Sequence, residues 1–112
     1  MMTLDAFRES LRAPAPPPRL SAPLAALWWV GGSAGEAAGD GARGKGADGW
    51  ARAHALVQDE AGPDAAWVHA HLHRVEGDAD NAAYWYRRAA RPTVVSALDA
   101  EWADIAAALL AA

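Results

Sequence analysis

Alanine fills 31 of the 112 positions, and that excess narrows the accessible folds more than any other feature of the chain. Alanine has the highest helix propensity and lets helices approach closely, yet each one buries little apolar area. A fold built from such helices must draw its core volume from a few large side chains. Six tryptophans are available for this, Trp28, Trp29, Trp50, Trp67, Trp85 and Trp102. They fall one or two to each expected helix, and each brings a large buried area. The expectation is an all-α chain of thin helices pinned by aromatic anchors, short enough to form one domain.

A net charge of −4 argues against a nucleic-acid surface, which needs a dense cationic patch. The nearest basic run is Arg87, Arg88 and Arg91. The absence of cysteine excludes a disulfide, a thiolate nucleophile and a zinc–thiolate site. The opening MMTLDAFRESLR is polar and contains acids, unlike a secretory signal, and no apolar run approaches the roughly 20 residues that span a membrane. A cytoplasmic location is expected, with neither nucleic acid nor membrane as partner.

Leu4, Phe7 and Leu11 are spaced for one face of a short helix, so residues 1–20 are expected to form an N-terminal arm followed by a linker. The string PAPPP at 14–18 forces that link into an extended, polyproline-like form. A single helical domain over 21–112 follows. Ser21 and Pro23 open its first helix, with Leu24, Leu27 and Trp28 at helical spacing. The eight glycines of residues 31–49 read as a flexible surface loop. Within it, Gly39, Gly44 and Lys45 fit the frame of a phosphate-binding loop, but Gly46 stands where a Ser or Thr must bind magnesium and no strand precedes. The frame is a coincidence of glycine richness.

Trp50, Ala53, Leu56 and Val57 predict a helix to about Glu60. The next runs from Pro63 to Glu76 with Val68, Leu72 and Val75 on one stripe. Gly77 ends it and Asp78 caps a helix through Ala82, Tyr86 and Ala89 that stops at Pro92. Ser96 with Asp99 has the spacing of a capping box, and Leu98, Trp102, Ile105 and Leu109 form the stripe of a last helix.

In residues 63–92, Ala70 is the small residue of a first helix, Gly77-Asp78 an inter-helix turn, Ala82, Tyr86 and Ala89 a small-aromatic-small series, and Pro92 a closing proline. This unit resembles a tetratricopeptide repeat. Trp50, Ala53 and Val57 repeat the second-helix spacing in a degraded earlier copy. The resemblance implies antiparallel helix pairs with a C-terminal capping helix at 96–110. The string AWVHAHLHRVEGDADNAAYWYRRAARP also resembles a bacterial and fungal family of small proteins that carries no known activity. In the repeat register, Asp64, Trp67, His71 and Arg74 line the concave surface, and an aromatic beside Arg and His suits peptide binding. The lysine–asparagine clamp with which some repeat proteins grip a C-terminal carboxylate is absent, so that specificity is not implied.

The histidines are the candidates for chemistry. His69 and His73 are four apart and share a helix face, with Glu76 three residues later. Such a set can ligate a divalent transition metal, with His54 or Asp80 from a neighbouring helix as a further ligand. The pair lacks the glutamate directly after the first histidine that marks zinc proteases. The competing expectation is that these imidazoles pack between helices and hydrogen-bond to Asn81, Tyr84 or a carbonyl. Tyr84 and Arg88, and Arg87 and Arg91, are spaced for a solvated face with a local cation–π contact.

Two expectations follow for function. The first is a non-enzymatic interaction module without cofactor, binding a protein or peptide or a second copy of itself. The other is a small metal-binding protein or metal-dependent enzyme built on His69, His73 and Glu76.

Overall fold

The computed structural model describes residues 2–31 and 46–111. Among them run six helices and no strand: α1 (Leu4–Ser10), α2 (Ala22–Gly31), α3 (Gly46–Val57), α4 (Pro63–Val75), α5 (Ala79–Arg88) and α6 (Leu98–Ala111). The all-α expectation holds. None of these helices is long and apolar enough to cross a membrane.

Local chemistry sets most of the boundaries. The Thr3 side chain accepts the Ala6 N–H to open α1, and Ser21 Oγ accepts the Leu24 N–H at the start of α2. Pro63 occupies the first turn of α4, where no N–H is required. At its other end, Gly77 takes φ +86°. Its N–H reaches the Arg74 carbonyl while the Asp78 N–H reaches that of His73, a Schellman closure. Asp78 then accepts the Asn81 N–H and starts α5. The last helix opens with the Glu101 N–H on the Ala97 carbonyl, one residue beyond the capping-box frame of Ser96 and Asp99. The Ser96 carbonyl serves Arg74 instead.

The expected loop at 31–49 is corrected at both ends. Gly31 belongs to α2, and α3 begins at Gly46, four residues before Trp50. Each glycine costs a helix interior about 1 kcal/mol relative to alanine, and packing offsets that here. A Cβ on Gly31 would lie 3.0 Å from the Trp102 ring and 3.1 Å from Leu11, so any larger residue would have to push these side chains aside. Gly49 is buried, and α3 lies along α2. Gly39, Gly44 and Lys45 fall outside the described residues.

α4 is the central element, touching α2, α3, α5 and α6, while α2 pairs with α3 and α1 leans on α6. Trp28 and Trp102 are buried anchors. The Trp102 ring stacks on Phe7 with centroids 5.6 Å apart and donates its N–H to the Leu27 carbonyl at 2.8 Å. Trp28 donates to Ser10 Oγ. The N-terminal arm is therefore docked, with Phe7 wholly buried. Trp29, Trp50 and Trp85 are only half-buried at the edge of the core, and two of these edge the site described next.

Candidate metal centre

His69 and His73 lie one turn apart on α4, and their rings stack with centroids 4.9 Å apart. His54, from the last turn of α3, crosses to meet them. Its Nε2 stands 3.0 Å from His69 Nε2, and the three residues offer ligand atoms that all lie within 4.8 Å of one another. Of the two further residues the sequence offers beside the pair, the fold brings His54 to it and leaves Asp80 on the turn side of α5, beside Glu76 and Asp78.

Aromatic residues from α3 and α5 hold this cluster. Trp50 precedes His54 by four residues, stacks on its ring at 4.9 Å and donates its N–H to the Leu72 carbonyl at 2.8 Å, tying α3 to α4. Trp85 from α5 stacks on His69 at 3.8 Å, with its plane tilted by only 14°. The hydrogen bonds expected from Asn81 or Tyr84 go elsewhere. Asn81 pairs with Asp78, and the Tyr84 hydroxyl accepts from Arg88. The Arg88 guanidinium lies over both Tyr84 and Trp85, the local cation–π contact expected for that face.

Electrostatics disfavours protonation of two of the three rings. Burial, and then the neighbouring imidazoles of His54 and His73, push His69 down to about 4. Burial and then His73 also lower His54, against a smaller opposing pull from Glu76. Both rings are thus neutral near pH 7 and carry lone pairs. Glu76 bonds His73 Nδ1 at 2.7 Å, which leaves Nε2 as the free donor of that ring. A carboxylate behind a ligand imidazole fixes its tautomer and raises its basicity. Glu76 also forms a second acidic group with His73 and Asp78. His69 Nδ1 is buried and has no hydrogen-bond partner among the described residues.

The four residues expected on a concave surface have a different setting. Asp64 is exposed, but Trp67 is buried and His71 is 0% exposed. The Arg91 guanidinium covers the Trp67 ring. His71 Nδ1 and Arg74 both meet Glu101 Oε1 at 2.7 Å, and Tyr86 donates to Glu101 Oε2. Burial alone would raise the Glu101 carboxyl. The bonds from His71, Tyr86 and Arg74 outweigh it and hold the group below the usual carboxylate range. Burial, reinforced by Glu101, pushes the Tyr86 phenol well up. His71 and Arg74 thus belong to an internal polar network.

Glu101 and Tyr86 as its members were missed from sequence. The signal was present: Leu98, Glu101 and Ile105 share one helical face, which puts a carboxylate on the buried stripe of α6. Trp50 and Trp85 as the walls of the histidine cluster were also missed, although the four-residue spacing of Trp50 and His54 was legible. Compared with known proteins, the chain matches no family model, no curated protein and no solved structure.

Proposed function

We propose that this protein binds one divalent transition-metal ion through His54, His69 and His73. The observation that carries the reading is the approach of two imidazole Nε2 atoms to 3.0 Å with a third imidazole inside the same 4.8 Å group. Nitrogens held at roughly 2.0–2.1 Å from one tetrahedral ion lie about 3.3 Å apart. The described fold therefore brings the donors almost to ligand spacing, and little ordering remains to be done on binding. Imidazole ligation without thiolate suits zinc, copper, nickel or iron. Glu76 acts behind His73 as an orienting carboxylate.

Elemental analysis of the purified protein, with thermal melts after adding each of these ions to the metal-free chain, tests this. A stoichiometric ion, or a rise in melting temperature abolished in both His69→Ala and His73→Ala, is expected. No metal and no rise with any ion would leave the histidines as packing groups.

A second role, as a scaffold for a protein segment or another copy of the chain, is supported by the order of packing. α2 lies with α3, α4 with α5, α3 against α4, and α6 against α4. Such pairing is compatible with stacked, tetratricopeptide-like helix pairs closed by a capping helix, although α6 also reaches back to α2. Light scattering across a concentration series checks self-association. A mass that rises with concentration supports it, and a strict monomer counts against it.

A further inference from the structure

We infer that the ion held by these histidines keeps one coordination position open, at which a small anion from solvent binds directly to the metal. The inference rests on the metal reading above and specifies what that site would take.

A tetrahedral ion asks for four donors, and structural zinc sites fill all four from protein, whereas reactive ones leave a place for water. The histidine group supplies three. Glu76, the carboxylate bonded to the cluster, is engaged with His73 Nδ1 at 2.7 Å. Asp78, the other acid grouped with His73, accepts from the Asn81 backbone and side-chain N–H groups, and the remaining close neighbours are ring faces, Trp50 against His54 and Trp85 against His69. An indole is a donor only and has no lone pair for a metal, and the Trp50 N–H is already given to the Leu72 carbonyl. The described residues thus complete three positions and leave the fourth without a protein donor.

Two further observations define what enters. His54 is half-buried whereas His69 and His73 are 3% and 5% exposed, so the cluster meets solvent on the His54 side. A divalent ion on three neutral imidazoles would also keep its full positive charge, the largest local charge in such a site. That charge favours an anion over a neutral ligand. Hydroxide, azide and formate are small anions of this kind.

Cobalt(II) in place of the native ion gives visible absorption bands that report the number and exchange of its ligands. Azide is the probe, added to the cobalt-loaded full chain and to its Glu76→Gln variant. The expected result is one cobalt per chain once each protein is saturated, the Glu76→Gln variant needing more cobalt to load, with bands that shift saturably on adding azide and return on dialysis in both. Cobalt bound with bands indifferent to azide would overturn the inference while leaving the metal reading intact. A shift confined to Glu76→Gln would also overturn it, because Glu76 would then be the fourth ligand. If neither cobalt nor zinc, copper, nickel or iron is retained, the metal reading itself fails, and the open position with it.

Discussion

In the metal-free protein, His69 is enclosed by His54, His73 and Trp85, and its proton affinity falls to a pKa of about 4 from the ordinary 6.5. The unfolded chain therefore binds more protons than the native one between those values. Stability contributed by the neutral ring is complete above pH 6.5 and is lost as the pH falls towards 4. A shift of this size corresponds to about 3 kcal/mol. Denaturant midpoints of the metal-free chain should fall steeply between pH 7 and pH 4, and His69→Gln should flatten that slope. An equal slope in the variant would mean that another group carries the acid sensitivity. Glu76 acts at the same scale through a single hydrogen bond to His73. Glu76→Gln is expected to weaken zinc affinity by roughly 10–100-fold, the usual effect of losing a carboxylate behind a ligand imidazole. Calorimetric titration reads this directly, and unchanged affinity would show that Glu76 does not orient the ligand.

Helix boundaries were the most legible part of the sequence, because their signals are local. Gly77 and Asp78 mark one turn with side chains that need no distant partner. The start of α3 was not legible, since Gly46 and Gly49 read as breakers until α2 is seen to lie beside them. The His69–His73 pair could be read from four-residue spacing, but its union with His54 depends on the crossing of α3 over α4. The placement of Trp67 and His71 on a surface shows the limit of periodicity. α4 is covered by four other helices, so over residues 65–73 the faces that a pattern separates into inner and outer are all interior. The end of α5 offers a test at this scale. Ala90 takes φ +59°, where a side chain is strained, and the Arg91 N–H closes onto the Tyr86 carbonyl at 3.0 Å. Ala90→Gly should relieve the strain and stabilise the protein by about 1 kcal/mol, seen as a higher melting temperature. A lower one would mean that chain entropy outweighs the strain.

At the scale of the molecule, α4 presents one set of side chains to the histidine cluster and another to the Glu101 network, which binds α4, α5 and α6 together. Glu101 is 3% exposed and receives Arg74, His71 and Tyr86. Its removal would strand a partly buried guanidinium and two buried polar groups, a type of loss that costs about 3–5 kcal/mol. Glu101→Ala should thus lower the denaturant midpoint far more than Glu101→Gln, which still accepts hydrogen bonds. A midpoint for Glu101→Ala close to that of the parent protein would show that the carboxylate is not what holds the helices. The histidine cluster, by contrast, draws its third member from across a helix boundary. Its reality as one site rests on His54, the residue that only folding brings to the pair. Calorimetric titration of the metal-free chain and of His54→Ala with zinc tests this most directly. One ion per chain is expected, with affinity at least about 100-fold weaker in the variant, more than the loss of an orienting partner costs. Equal affinity in the two proteins, or several weak ions in each, would contradict a single centre formed by α3 and α4.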